Sequence, residues 1–319
     1  MTLDEIIVEI KNASSVVILA HEGPDGDAIG SSLAMKHAIK SLGGGKRVDV
    51  LMKDYPANFS YLPGVEEILK ETDVEKYDLA IVLDCPDLNR VNEEYRKYFE
   101  TAEVKVEFDH HSKNAMFADY NIVNHVSPAC SQVLVSTFGY WGIEMTKDII
   151  TCLITGIITD TGGFKNSNIT TETFEFAAWA LTKGVNISKI YNTSMMIMSK
   201  NKFEVQKLAN ERLEFHADGK VTFTYITLED SERLGLKEGD HDGIVEIGRC
   251  IEGVEVSVFL YEKANGFKAS LRSNDYVNVA EVCTTFSGGG HIKAAGATMT
   301  KDLEESKQLI LGEVIKKLK

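Results

Sequence analysis

Four short runs, residues 16–20, 48–52, 79–83 and 104–108, are almost continuously apolar and rich in β-branched side chains, and helical patterns separate them. A strand with one wet face alternates apolar and polar residues. Runs without that alternation are buried on both faces, and when helices lie between them they pair in parallel. This feature narrows the fold class to α/β, with a largely parallel sheet flanked by helices. Ligands on such sheets bind beyond the carboxyl ends of the strands. Three of the four runs are followed there by ionisable residues: His21, Asp25 and Asp27; Asp84; and Asp109, His110 and His111.

Further helical patterns cover residues 127–141, 147–159 and 170–183, the last opened by a capping signal at Thr170 and Thr173. Residues 186–214 read as one Met- and Lys-rich helical connector without a turn cluster. Strand alternation then begins at Val221, Phe223 and Tyr225, and a hairpin joins 254–260 to 266–271 through Asn265-Gly266. A helix over 277–286 leads into Ser287-Gly288-Gly289-Gly290-His291, and a terminal helix covers 303–318. The 319 residues suit two domains. The expected division is 1–185, a connector at 186–214 and a smaller α/β domain at 215–319, with the active-site cleft between the two domains.

Against 34 Lys+Arg stand 48 Asp+Glu, a formal charge of −14. Such a chain has no long-range attraction for a polyphosphate duplex, so phosphate must be caught locally by cations or backbone amides. The five cysteines are scattered and never form a Cys-x-x-Cys pair, which points to reduced thiols in a cytoplasmic protein. The longest apolar stretch, residues 149–158, is too short for a membrane span. No membrane partner is expected.

Taken alone, Pro24-Asp25-Gly26-Asp27 has the composition of a turn, Asp84 that of a helix cap, and Asp160 that of a helix end. Counted with Asp109-His110-His111, three of these four groups fall at strand ends of one sheet, and that joint occurrence favours a metal site instead. Imidazole and carboxylate donors without thiolate suit Mn²⁺ or a similar divalent ion. Adjacent histidines point in different directions, so one can ligate metal while the other faces substrate, with Asp109 fixing an imidazole tautomer. Arg90 either grips phosphate from the metal side or pairs with Asp87 or Glu93. Packing is the default for Tyr61, Phe117 and Tyr120.

In this order the four elements resemble the signature of the DHH phosphoesterase superfamily, whose Asp-His-His triplet stands here at Asp109, His110 and His111. The segment from Ser287 to Gly296, with Arg272 upstream, resembles the DHH-associated domain. Length and domain content are most similar to the compact bacterial NrnA-type members, which hydrolyse short oligoribonucleotides to nucleoside 5′-monophosphates and dephosphorylate 3′-phosphoadenosine 5′-phosphate (pAp). The resemblance implies two divalent metal ions, Mn²⁺ by expectation. One is held by His21, Asp25 and Asp84, and the other by Asp27, Asp84, His110 and Asp160. It implies Asp84, His111 and Asp109 as catalytic residues, and Arg272, Gly289, Gly290 and His291 as binders of phosphate and the terminal nucleotide. The partners implied are short single-stranded RNA or DNA, pAp and dinucleotides; a homodimer stays open. Within the same fold the rival is a phosphodiesterase for cyclic-di-AMP or linear dinucleotides. From another class the rival is a non-catalytic nucleotide sensor.

Overall fold

The computed structural model describes residues 2–237 and 239–319. It comprises two compact units that meet in the chain between Ile197 and Met198. In the first unit six parallel strands, β1 (Ser15–Leu19), β2 (Arg47–Leu51), β3 (Ile68–Leu69), β4 (Leu79–Leu83), β5 (Val104–Asp109) and β6 (Tyr120–Val123), lie in the order β3-β2-β1-β4-β5-β6. Every residue of β4 is buried, as a central strand covered on both faces demands. The four strands expected from the apolar runs are all present. The edge strands β3 and β6 have no such signal: β3 is two residues long, and β6 is half-buried throughout.

The helices of this unit are α1 (Leu3–Asn12), α2 (Gly26–Ser41), α3 (Glu93–Thr101), α4 (Cys130–Trp141), α5 (Lys147–Asp160), α6 (Thr171–Thr182) and α7 (Ile187–Tyr191). One sheet face contributes Ile18, Leu83 and Phe108 to a core shared with Ile29, Leu33 and Leu134, and with Ile154 and Ile157 of α5. The other face packs Val17 and Val82 against Tyr95 and Phe99 of α3. α2 is buried almost all round, with Gly30 against α5: a Cβ there would lie 2.5 Å from the Cys152 carbonyl oxygen. That close approach carries Asp25 and Asp27, at the start of α2, to the same end of the sheet as Asp160, at the end of α5.

The stretch expected as one helical connector is broken. α7 passes into a π-helical turn at Asn192–Met196, and Ile197 and Ser199 are extended. α8 (Lys200–Glu211) then starts afresh, capped by Ser199, whose side chain accepts from Lys202 N. The apolar residues on the two sides of the break serve different cores. Ile190 and Met195 pack in the first unit, Val205 and Ala209 in the second.

The second unit holds β7 (Glu214–His216), β8 (Val221–Ile226), β9 (Val256–Lys263), β10 (Gly266–Ser273), β11 (Gly289–His291) and β12 (Ala294–Met299), ordered β11-β12-β10-β9-β8-β7. Only β8 and β9 pair in parallel. Its further helices are α9 (Leu228–Leu234), α10 (Ile244–Arg249), α11 (Val279–Thr284) and α12 (Leu303–Ile315). One sheet face, with Leu260, Leu271 and Ala297, packs on Val282 of α11 and Ile310 of α12. On the other face Ile226 and Phe259 are covered by α8 and α10, whereas Lys268, Ser270 and Arg272 of β10 stay accessible. Among the described residues no helix is long and apolar enough to cross a membrane.

Candidate metal centre and phosphate-binding face

The chain leaves β1 to form β2 and β3 on one side, then returns to form β4 on the other. This reversal opens a crevice at the carboxyl ends of β1 and β4, the position at which open α/β sheets bind ligands. His21 lies just beyond β1. An isolated bridge to Val91 and a bond from Glu22 N to the Arg90 carbonyl (2.7 Å) pin its loop. Its Nδ1 sits 3.0 Å from the Glu22 carbonyl, and its Nε2 faces Asp84 Oδ2 at 3.8 Å. Asp25 Oδ1 accepts from Asp27 N (2.9 Å) and Ala28 N (3.1 Å), so the turn and the helix cap are one feature. Asp27 is fully buried, and its two oxygens accept from Cys130 N (2.6 Å) and Ser131 N (2.9 Å) at the start of α4. Burial, then repulsion from Asp84 and Asp160, push its carboxyl well above the ordinary range.

Asp84 follows β4 with φ at 53°, in the left-handed region, which carries a backbone cost that Asp bears more readily than most residues with a side chain. Its amide donates to the Phe108 carbonyl (3.0 Å), and its Oδ1, cut off from solvent, has no hydrogen-bond partner. Asp160 closes α5, where the helix dipole disfavours a negative charge. Burial raises its carboxyl to about 6 against the opposing pull of His110. His110 Nε2 lies 3.4 Å from Asp84 Oδ1 and 3.2 Å from Asp160 Oδ2. Burial opposes a charge on this imidazole, but the nearby carboxylates of Asp160 and Asp84 outweigh it and lift the group to about 11.

His111 turns toward Asp109, with its Nδ1 still 3.7 Å from Asp84 Oδ1. Its Nδ1 is 2.7 Å from Oδ1 of the fully buried Asp109, which raises the imidazole above its ordinary value. Asn114, which carries no motif, donates from its amide to Asp109 Oδ2 (2.6 Å) and to Glu107 Oε1. Glu107 is fully buried in β5, and burial lifts its carboxyl to about 7. Neither residue stood out in the sequence. The available signal was an acid in the middle of a strand otherwise read as core.

Three sets offer ligand atoms within 4.8 Å of one another: His21, Asp25 and Asp84; Asp27, His110 and Asp160; and Asp84, Asp109, His110 and His111. Among the described residues no lysine or arginine is ion-paired to any of these five carboxylates; histidines are their only cationic neighbours. Buried carboxylates without cations are costly. The orphaned Asp84 oxygen and the all-nitrogen-and-oxygen donor set therefore fit divalent cations. Arg90 is exposed at this edge with no ion pair to Asp87 or Glu93 among the described residues. Tyr61 and Tyr120 pack against the core of this unit, and Phe117 against the layer under α3.

In the second unit Arg272 on β10, Ala294 on β12 and His291 on β11 stand in register across three strands. Gly289 lies opposite Gly296, and Gly290 opposite Ala295. The glycines differ in their reasons. Gly290 has φ at 144° and a Cβ would strike Ala294 O at 2.6 Å, whereas a Cβ on Gly289 would meet nothing within 4 Å. Gly290 is glycine because β12 lies against it, and Gly289 leaves open space on the accessible face.

Residues 15–157 match the model of the DHH family, N-terminal domain, and residues 218–319 match that of the DHHA1 domain. A Thermus thermophilus protein named bifunctional oligoribonuclease and PAP phosphatase NrnA is 31% identical over 319 residues, spanning 98% of this chain and 94% of its own. The chain belongs to the DHH family. A Mycoplasma genitalium protein of the same name is 27% identical over 332 residues, spanning 99% of this chain and 98% of its own. The crystal structure of an exopolyphosphatase-related protein from Bacteroides fragilis superposes with a TM-score of 0.88 at 26% identity, covering 98% of this chain and 95% of that one. The Asp-His-His triplet of this DHH family member is the segment that leaves β5, and its two histidines diverge as described, one toward the carboxylate cluster and one toward Asp109.

Proposed function

We propose that this hydrolase of phosphoester bonds cleaves short oligoribonucleotides to nucleoside 5′-monophosphates and removes the 3′-phosphate of pAp, with two divalent cations, Mn²⁺ by preference. The observation that carries the reading is the set of five carboxylates gathered at one sheet edge without a lysine or arginine partner among the described residues, in a chain whose near-full-length relatives bear those two activities in their names. His21, Asp25 and Asp84 would hold one cation, and Asp27, Asp84, His110 and Asp160 the other. When bound, such ions supply Lewis acidity and a nucleophile at neutral pH. Asp84 serves both groups from a strained, buried position. His111, its Nδ1 engaged by Asp109, keeps Nε2 free to hold a proton against a phosphate oxygen. Arg272, His291 and the open space at Gly289 form the phosphate- and terminus-binding face. Arg90 grips phosphate from the metal edge.

Turnover of a dinucleotide, a pentamer, a 24-mer, pAp and cyclic-di-AMP by the Mn²⁺-loaded protein tests the proposal. Dinucleotide and pAp are expected to turn over fastest. Equal or faster hydrolysis of the 24-mer overturns the length preference, and faster hydrolysis of cyclic-di-AMP replaces the substrate. No turnover of any leaves a sensor.

A further inference from the structure

Beside the accessible face of the second unit, two arginines share one carboxylate. Gly248 of α10 is buried, and a Cβ there would lie 2.6 Å from Ser257 Oγ and closer still to Thr222 Oγ1. The helix backbone therefore rests directly on β8 and β9. Ser257 is in register with Arg272, so this seating places the side of α10 next to Arg272. Glu246 and Arg249, one turn apart, meet it there. Glu246 Oε1 accepts from Arg272 Nε (2.9 Å), and Glu246 Oε2 lies 2.6 Å from Arg249 Nε.

Both guanidinium groups approach Glu246 through Nε. Of the terminal nitrogens, one on Arg272 donates to the Leu271 carbonyl (3.0 Å); the other, and both on Arg249, have no hydrogen-bond partner among the described residues. Glu246 Oε2 and Arg249 Nε are both screened from solvent and meet as an ion pair without hydrogen-bond geometry, whereas Arg272 is held by a hydrogen bond; the Arg272 and Arg249 side chains remain 31% and 38% exposed, so their free edges are accessible. An arginine held at Nε with its terminal edge open is preorganised for an anion with two acceptor oxygens. Two such groups on one carboxylate leave a net positive charge beside the exposed His291 and the partly exposed Ala294 and Gly296.

We infer that Arg249 is a second phosphate-gripping arginine on this face, and that Glu246 is a positioning residue which holds Arg249 and Arg272 together. The ligand class is a phosphomonoester or phosphodiester of a nucleotide. The inference rests on the reading of Arg272 as a phosphate binder. The alternative is an ordinary ion pair within α10.

The test is steady-state kinetics of the full-length, Mn²⁺-loaded protein on pAp and a dinucleotide, at several salt concentrations, with thermal melts as a folding check. Arg249→Ala is expected to raise KM about tenfold and to lower kcat less than threefold. It is also expected to flatten the dependence of log KM on log salt by about one contact's worth. Arg249→Lys, which keeps the charge and loses the fork, should fall between Arg249→Ala and the unchanged protein; it also serves if Arg249→Ala melts early. Glu246→Gln should raise KM on both substrates, because the change removes the charge and turns one of the two oxygens that face the guanidinium groups into a donor NH2. If Arg272→Ala raises KM and neither Arg249 variant does, the inference fails and the reading of the face stands. If Arg272→Ala leaves KM and the salt slope unchanged, that reading itself fails. A Glu246→Gln protein with unchanged KM overturns the positioning role.

Discussion

Asp84 bears two costs, a left-handed backbone and a buried oxygen without a partner. Nothing in β4 or the loop after it relieves either, and in the proposed function the compensation comes from the bound cations. Asp84→Ala should cut kcat/KM by a factor on the order of 10³. Equilibrium dialysis should show a fall in bound Mn²⁺ beyond one ion, since both ligand groups lose a donor. Retention of one tight ion together with activity close to that of the parent would contradict the shared role. Asn114 shows how a residue without a motif comes to matter. It separates two fully buried carboxylates, Glu107 and Asp109, with one amide donating to both. The second holds His111 at 2.7 Å, so this imidazole at the edge of the carboxylate cluster is oriented through a chain reaching back to the middle of β5.

At the scale of elements, helix termini and strand ends place the charges. α2 begins at the site with Asp25 as its cap, α5 ends at it with Asp160, and Gly30 lets the two helices approach closely enough for both to matter. In the second unit the same logic runs through edge strand β11. Gly288 and Gly290 are confined by β12, while the position a Cβ would take on Gly289 has no neighbour within 4 Å and the φ there is not left-handed. Gly289→Ala should therefore leave the melting temperature within about 2 °C of the parent, a surface-like effect. The same change should raise KM for pAp about fivefold or more by filling space that phosphate needs. A clear loss of stability with unchanged KM would assign Gly289 to the fold instead.

For the whole molecule, the site sets the pH dependence of stability in the chelated protein. The folded state holds protons on Asp160 up to about 6 against an ordinary 3.8, and on Glu107 up to about 7 against 4.5. Both therefore withdraw stability as pH rises through those windows. His110, lifted to about 11 from 6.5, contributes stability that is complete below 6.5 and is lost as pH rises toward 11. All three act in one direction. The melting temperature in chelator should fall from pH 5 to pH 9, and Mn²⁺ at pH 8 should restore it by neutralising the carboxylates. A rising melting temperature in chelator over that range would contradict the assignment. The net charge of −14 reads differently once part of it is seen gathered in the carboxylate and histidine cluster of the candidate metal centre. Local information was enough for the parallel sheet, its four central strands, and the acids and histidines at their carboxyl ends, because burial on both faces and residue type are written along the chain. It was also enough for the hairpin at Asn265 and the capping box at Thr170. The break after Met196 was not legible, since helical residues run through it and only the two separate cores divide them. Strand order, which makes β1, β4 and β5 neighbours, the bridge of Asn114 between two acids, and the sharing of Glu246 by Arg249 and Arg272 were decided by the tertiary structure alone. Each joins side chains that leave different elements or different turns, and only packing brings such groups within hydrogen-bonding distance.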